Sequence, residues 1–586
     1  MPKRRALILD ADYAAGIESA QSLGRAGVEV HAACPASDAL ILHSRRCAHG
    51  HIQPEHPDAI LPWVDTLDQR FNFDLIVPST ERSLMAFANS SGYEDLYSKA
   101  VLPPRESLQL AIDKDRVWQL AQSLAVPVPP SVTARADSIP PLPFGFPVAV
   151  KPVRSKQIQG DNLLDLRVSY AHTAEEMRDT LSALPAFSFQ VQSLVRGVGV
   201  GIELLFDRGR VVRYFAHRRV HELPLTGGGS SYRVSITPPQ QLLAHSIALL
   251  EALRWHGVAM VEWKVDSEGK AYLIEINARL WGSLGLAIDA GVDFPRDLLA
   301  LATGDPLPPQ TMYRVGYYTR NLTRDLDWQI ANLRADRSNP QLLVRPRLRS
   351  ALEFLRPLLF AESWDHFDFG DLGITFRLIR SFVAKKFSAA TAKIRWRIHS
   401  RNFVRKEHPR ILAQIRDSTK EGKNILFVCR GNICRSPLAE YLLSRKLPTC
   451  VVSSAGFYPK SGRLSPANMQ RAARLVGVDL GSHRSRQLTA ELIDQADLVL
   501  IMDRHNLREI LNRFPSAKSK MTFLGLFAST PAIEIQDPYS LPVEKATAIC
   551  RIIEDAAANL SALLQADVKH RSEETARSSE TFTETQ

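Results

Sequence analysis

Cysteine is scarce. Six residues in a chain of 586 are too few for the disulfide framework by which small secreted domains make up for thin cores. Long apolar runs are missing as well: no stretch of about 20 uncharged apolar residues occurs, so no membrane-spanning helix is expected. The opening MPKRRALILDADY has basic pairs, but Asp10 and Asp12 interrupt its apolar run, and a secretory signal is not expected. Internal repeats are absent. These absences point to a cytoplasmic protein. Acidic charge is short in one place only. Residues 376–420 hold 13 Lys and Arg against Glu407 and Asp417, a local excess equal to the +11 of the whole chain. The rest is neutral in sum, so the basic balance reports one segment and no general affinity for nucleic acid. In that segment aromatic and aliphatic residues interleave with cations, as in FRLIRSFVAKKF and KIRWRIHSRNF. Two readings stay open for it: an amphipathic helix lying peripherally on an anionic membrane surface, or a helix docked by its apolar side.

Core-forming residues are plentiful, at 45% apolar. At roughly 100–200 residues per domain, the length predicts three or four domains. Residues 5–9, 27–32 and 73–78 read as short buried strands, with the helical pattern AAGIESAQSLGRAG between the first two. That is βαβ grammar, which implies a parallel sheet covered by helices. The Pro-rich join VLPPRESL opens a second, α+β block, with hairpins at DRGR and DSEGK. From 424 the βαβ grammar returns, with strands at 424–428, 450–453 and 497–502. The end, HRSEETARSSETFTETQ, is polar and is expected to be disordered. The expectation is an α/β multidomain chain divided at 1–103, 104–325, a basic helical connector 326–422, 423–566 and a tail 567–586.

NILFVCRGNICRSPLAE, residues 424–440, delivers Cys429 from a strand into a loop that wraps the start of a helix, with Pro437 in its first turn. Backbone N–H groups at a helix start collect anions, and a cysteine placed there is expected to carry thiolate character. Arg435 offers a planar fork for two phosphate oxygens, and the Ser436 hydroxyl can donate to the sulfur. These parts make a nucleophile inside an anion cradle.

The longer string resembles the phosphate-binding loop of the low-molecular-weight protein tyrosine phosphatases. SSAG at 453–456, HRSRQL at 483–488, ADLVLIMDRHN at 496–506 and DPY at 537–539 follow in that family's order. The resemblance implies a doubly wound parallel sheet, with Cys429 as nucleophile, Arg435 as transition-state clamp and Asp537 as general acid. It implies loop support from Asn432, Ser436 and Ser454, and Tyr539 at the mouth. No cofactor is implied for this domain. Arg430 departs from the apolar residue the family often has there. Phe457 and Tyr458 stand near its substrate-facing aromatic, and Cys434 is either a disulfide partner for Cys429 or a free buried thiol. Arsenate reductases share the fold but need further cysteines downstream. Residues 454–549 hold none, which disfavours that chemistry.

VEWKVDSEGKAYLIEIN, residues 261–277, closes as a hairpin around SEGK. Setting Asp266 opposite Ala271 puts Val261, Trp263 and Val265 across from Ile276, Ile274 and Tyr272, on one apolar face. Glu262 then opposes Glu275 on the other face, with Asn277 two residues on. Facing carboxylates repel, and either a hard cation such as magnesium or a solvated polar face accounts for them. The layout resembles the ATP-grasp superfamily, which implies magnesium held by Glu262, Glu275 and Asn277. In the same resemblance Lys114 and Lys151 are the phosphate-binding lysines, FQVQSLVRGVGVGIELLF with Gln192 is the hinge at the adenine, and Arg279 contacts phosphate or substrate carboxylate. Residues 1–103 then form a Rossmann-like unit ahead of an ATP-grasp block, 104–325. Ser193 replaces a frequent hinge glutamate, and RSKQIQGDN is a poor glycine-rich flap. In the basic stretch 217–235, His217, Arg218 and Arg219 either bind an anionic substrate or form a solvated strand face.

The reading is a bifunctional protein: a cysteine-dependent tyrosine phosphatase fused to an ATP- and Mg2+-dependent carboxylate–amine or carboxylate–thiol ligase. The expected partners are a phosphotyrosine protein or aryl phosphate for the first, and a small carboxylate with an amine or thiol for the second. The alternatives are a phosphatase regulated by a non-catalytic, nucleotide-sensing ATP-grasp module and, third, a membrane-surface scaffold with neither activity.

Overall fold

A short strand that is apolar on both faces needs cover on both. Arg5–Leu9 has it, with every side chain from Ala6 to Leu9 fully buried. The computed structural model describes residues 3–583 except 136–137, 160–161, 183, 185–186, 338–341, 355, 357–361, 418–421, 460, 540 and 542. The chain divides into two units, residues 1–386 and 387–586.

In the first unit Arg5–Leu9 pairs in parallel with Glu29–Cys34 and Leu75–Pro78, and His49–Ile52 forms the edge beside Glu29–Cys34. Helix Ala14–Arg25 connects the first two strands in sequence, and Gly27, at φ +81°, turns the chain after it. The edge strand HGHI has no apolar alternation, so no sequence pattern announced it.

Two further sheets follow, antiparallel except for the last pair of the second. One has the order Ser131–Ala134, Phe189–Ser193, Val148–Pro152, Ser169–Ala171. The other has seven strands, ordered Ala271–Asn277, Gly257–Val265, Val198–Asp207, Arg210–Leu223, Gly229–Ser235, Tyr318–Arg320 and Ser363–Trp364. Helix Gln240–Ala252 covers it, with Trp263 Nε1 donating to Ser246 Oγ at 3.0 Å.

The hairpin register corrects the expectation on the turn side. Val261–Ile276 and Glu262–Glu275 pair as expected, but a bulge after Glu262 shifts Trp263 opposite Leu273 and Val265 opposite Ala271. The turn causes the shift. Asp266 N–H donates to Lys270 O, and Gly269, at φ +85°, takes the left-handed position that such a turn needs. Ile274 becomes the extra residue and Leu273 turns inward.

The segment from 326 begins within helix Leu322–Arg334, and a short strand further on joins the seven-stranded sheet. Ser363–Trp364 pairs with Thr319–Arg320. Helix Leu322–Arg334 stacks Trp328 on His221 at 3.5 Å, and Glu362 takes the buried Arg320 guanidinium at 2.6 Å. A fully buried guanidinium needs such partners, which a solvated connector could not supply. Helix Leu372–Asn402 follows. Its Phe376, Ile379, Val383, Phe387, Ile394 and Ile398 are exposed. Part of the stretch before the second sheet, 418–421, lies outside the described residues.

The second unit is a parallel sheet ordered Val451–Gly456, Asn424–Cys429, Leu498–Ile501, Met521–Phe523. Helix Val543–Thr583 buries Ala546, Ile549, Cys550, Ile553, Ala557, Leu560 and Leu564, the spacing of one helix face. The same helix is continuous to Thr583, over the tail expected to be disordered from 567.

Candidate active sites

Strand Asn424–Cys429 ends on a buried Cys429, and helix Arg435–Ser444 starts after a five-residue turn. Asn432 holds the left-handed conformation at φ +51°, which asparagine tolerates better than most residues. That turn aims Asn432 N–H at Cys429 Sγ, 3.2 Å away, while Ser436 Oγ donates to the same sulfur at 3.0 Å. Gly456 on the neighbouring strand lets the loop close, because a Cβ there would lie 2.8 Å from Asn432 N. A second ring fixes the first. Asn432 Nδ2 donates to the hydroxyls of Ser436 and Ser454 at 3.0 and 2.7 Å, and Ser454 donates to Glu440 Oε2 at 2.5 Å. His483 Nε2 meets Asn432 O at 2.8 Å, and Arg486 N–H donates to Asn432 Oδ1 at 2.8 Å.

Arg435 is buried. It donates through Nη1 to Asp503 Oδ2 at 2.7 Å and Ile535 O at 2.8 Å, and through Nη2 to Asp537 Oδ2 at 2.8 Å. Burial opposes its charge, but Cys429, Asp537 and Asp503 outweigh that and raise its pKa. Asp537 is partly exposed, and Tyr539, its neighbour but one, is exposed at the surface and donates its N–H to Asp537 Oδ1 at 3.3 Å. The sequence-predicted Cys429, Arg435, Asp537, Asn432, Ser436 and Ser454 therefore meet in one place, with Tyr539 at the rim. Arg430 is exposed, and its carbonyl accepts from Phe457 and Tyr458 N–H. Phe457 is buried, whereas Tyr458 is exposed beneath the Arg463 guanidinium, 3.9 Å from its ring. Cys434 is buried, and burial first, then Asp537 and Cys429, raise its thiol far above the usual range. It is a free thiol. Asp503, Glu440, His483 and Arg486 were not singled out by sequence reasoning. Asp503 was legible as a helix N-cap in MDRHN, accepting from Asn506 N–H at 2.9 Å, but its second oxygen serves Arg435 across 68 positions.

In the first unit Lys114, Glu275, Asn277 and Arg279 line one cavity of about 100 Å³ with Glu81 and Ser155. Lys114 Nζ faces Glu275 Oε2 at 3.8 Å and hydrogen-bonds Ser155 Oγ at 3.0 Å. Asn277 Nδ2 donates to Glu275 Oε1 at 3.1 Å, and Arg279 Nη2 donates to Asn277 Oδ1 at 3.3 Å. Burial opposes the Glu275 charge, yet Lys114 and Lys151 hold its pKa below the ordinary value. Lys151 Nζ donates to Gln192 Oε1 at 2.5 Å, and burial pulls its pKa down to about 8. Glu262 stands opposite Glu275 but is forked by Arg219 at 2.7 and 2.8 Å. Side-chain cations thus relieve the expected repulsion. The basic stretch is corrected as well: His217 is buried against Glu203 at 2.5 Å, Arg219 is buried on Glu262, and only Arg218 is exposed. Burial inside the sheet excludes a solvated face for His217 and Arg219. The expected flap is a hairpin of Lys156–Gln159 and Asn162–Asp165, with Gly160 outside the described residues.

The donor set tests the implied groups. Two carboxylates and an amide oxygen are hard ligands of the kind magnesium takes. A half-buried ammonium that donates to one neutral amide oxygen suits an added anion. The residues fit both groups, with Glu262 engaged by Arg219 here.

One site places a cysteine sulfur, an arginine fork and an aspartate together, the donor set of a cysteine-dependent phosphatase; the other gathers lysines, carboxylates and an amide around one cavity. The chain belongs to the low molecular weight phosphotyrosine protein phosphatase family, whose model matches residues 424–570. It is a fusion: residues 189–321 match the family described as ATP-grasp in the biosynthetic pathway with Ter operon. A low molecular weight protein-tyrosine-phosphatase of Acinetobacter johnsonii is 41% identical over 117 residues, 20% of this chain and 80% of that protein. A protein-arginine-phosphatase of Geobacillus stearothermophilus is 41% identical over 121 residues, 20% of this chain and 81% of its own. Among solved structures, an L-amino acid ligase from Bacillus licheniformis is 17% identical, with a TM-score of 0.41 over 51% of this chain and 74% of its own. Among the described residues no helix is long and apolar enough to cross a membrane.

Proposed function

We propose that residues 424–570 hydrolyse protein phosphotyrosine through a phosphocysteine. Cys429, as thiolate, attacks phosphorus while the bond to the aryl oxygen breaks, and Asp537 gives that oxygen its proton. Arg435 turns its fork from Asp537 to two non-bridging oxygens, and loop N–H groups take the third. Asp537 then removes a proton from water as the water oxygen attacks phosphorus. The sulfur–phosphorus bond breaks, inorganic phosphate leaves, and the Ser436 hydroxyl stabilises the departing sulfur. Asn432 and Ser454 hold the loop, and Tyr539 lines the mouth. The observation that carries this reading is a sulfur taking two hydrogen bonds within a loop whose arginine is 2.8 Å from the acid.

Matched phosphotyrosine and phosphoarginine peptides form the test. Hydrolysis of phosphotyrosine, abolished in Cys429→Ser and slowed about 10²–10⁴-fold in Asp537→Ala, is expected, with no loss under chelator. Turnover of phosphoarginine alone would transfer the chain to the other substrate class.

For the first unit we propose an ATP-grasp ligase that joins a small carboxylate to an amine or thiol. Lys114, Lys151 and Arg279 receive phosphate oxygens, Gln192 sits at the adenine side, and Glu262, Glu275 and Asn277 hold magnesium. When bound, that ion neutralises the nucleotide phosphates. The Arg219 fork on Glu262 favours a second reading, a nucleotide sensor without turnover. Calorimetric binding of Mg-ATP together with ADP release on adding candidate acids supports the ligase; binding alone supports the sensor. Peripheral membrane association is proposed for helix Leu372–Asn402, on the strength of its exposed apolar residues among cations.

A further inference from the structure

Away from both sites, the edge of the first sheet gathers imidazoles. In the parallel pairing His31 is the register partner of His49, and Ala33 of His51. Alternate residues of a strand share a face, so Glu29, His31, His49 and His51 all project on one side. Ligand atoms of Glu29, His31 and His49 lie within 4.8 Å of one another. His31 Nε2 is 3.3 Å and His49 Nε2 is 4.0 Å from Glu29 Oε1. The other nitrogen of His31, Nδ1, meets His51 Nε2 at 2.9 Å. Phe71 and Phe73 stand edge-on to the His31 ring, with centroids 4.5 and 4.9 Å away.

We propose that Glu29, His31 Nε2 and His49 Nε2 are three protein ligands of a borderline divalent transition-metal ion, Zn2+ above all, with His51 as a positioning residue. Two imidazoles and one carboxylate, with a fourth place open, is an established donor count for zinc. A tetrahedral ion with bonds near 2.0–2.1 Å needs ligand atoms about 3.3 Å apart. The His31–Glu29 pair already meets that spacing. The remaining contraction falls to His49, whose side chain is 49% exposed and free to turn on an edge strand. His31 is fully buried against the edges of two phenylalanine rings; without metal its Nε2 is within hydrogen-bond reach of Glu29 Oε1, and an ion there would select the tautomer in which Nδ1–H donates to His51 and Nε2 carries the lone pair. This is the outer-shell hydrogen bond that fixes the tautomer of a ligating histidine. Arg5 Nε also contacts Glu29 Oε1, at 3.1 Å, the same oxygen that His31 Nε2 and His49 Nε2 face, so an ion bound there shares this carboxylate with the guanidinium. The ion would clip a four-residue edge strand, the least supported of the sheet, to its neighbour.

The test uses the full chain and Co2+ as probe. One equivalent should give the intense visible bands of tetrahedral cobalt, and one equivalent of Zn2+ should remove them. The oxygen-only donors Glu262, Glu275 and Asn277 would give only the pale octahedral spectrum. Zn2+ should also raise the melting temperature. His49→Ala, at an exposed edge, should keep the metal-free melting temperature and lose both the bands and the Zn2+ shift. His51→Gln should keep the bands with affinity about 10–100-fold lower. Cys47 is the nearby thiol, its Sγ 3.2 Å from His49 O, and Cys47→Ser should change nothing. Absence of stoichiometric binding, bands that survive His49→Ala, or bands lost in Cys47→Ser would overturn the assignment.

Discussion

Lys151 is a half-buried ammonium beside one amide oxygen, and burial lowers its pKa to about 8. A phosphate arriving there restores the charge that burial opposes, so the pKa must rise on binding. Near pH 8.5 the free protein is partly deprotonated at this residue, and Mg-ATP binding should take up a proton. Calorimetry in buffers of different ionisation enthalpy measures that uptake; Lys151→Met should abolish it, and a proton count of zero in the parent would separate Lys151 from the phosphates. Asp289 shows the opposite sign. Burial raises it from 3.8 to about 6, against the Ser363 hydroxyl that donates to it at 2.5 Å. A carboxyl whose folded pKa is raised stabilises the fold below the unfolded value and loses that contribution as pH climbs from about 4 to about 6. The gap sets a ceiling of about 3 kcal/mol. Asp289→Asn should therefore melt higher than the parent at pH 8 and show no advantage at pH 4; equal melting at both would mean that Asp289 is solvated. Individual site residues were legible in the sequence where chemistry and spacing coincide locally, as Cys429, Arg435 and Ser436 do. Asp503 and Glu440 were not, because their partners, Arg435 and Ser454, reach them only through the fold.

At the scale of elements, apolar strands announced themselves, including the edges Leu75–Pro78 and Val451–Gly456, whereas short or polar ones did not. RALIL and NILFVC are continuous apolar runs, whereas HGHI and MTF are too short or too polar to register. The hairpin shows the same limit in finer form. Facing glutamates were legible from alternation, but a bulge is set by turn geometry and flips the pattern beyond it. Helix Leu372–Asn402 presents Phe376, Ile379, Val383 and Phe387 at helical spacing on an exposed stripe, with Arg377, Arg380 and Lys386 between them. Near an anionic surface each such cation is worth about 1 kcal/mol, and salt screens it within about a Debye length. The chain should cosediment with vesicles containing phosphatidylserine at low salt, release as salt rises, and bind weakly to neutral vesicles. Phe376→Ser with Phe387→Ser should weaken this binding at every salt concentration. Equal binding to both vesicle types would remove charge from the account.

The two units are stabilised separately. Among the described residues, the buried core of the second unit runs from Phe403 to Leu564, and the buried cores of the first lie among residues 6–374. Two compact units are expected to give two cooperative transitions, and each ligand then raises the transition of the unit that binds it. A ligand at 100 times its dissociation constant adds about 2.7 kcal/mol to the native state. Divided by an unfolding entropy of about 2.1 cal/mol/K per residue, that is a rise of about 3 °C for a unit of 386 residues and about 6 °C for one of 200. In scanning calorimetry of the full chain, Mg-ATP should therefore raise one transition by the smaller amount, and vanadate, which mimics the phosphorus centre at Cys429, should raise the other by the larger. Cys429→Ser should cancel the vanadate shift and leave the Mg-ATP shift intact. If either ligand moved both transitions together, the units would share free energy, and nucleotide binding would then act on the phosphatase in the manner the sensor reading requires.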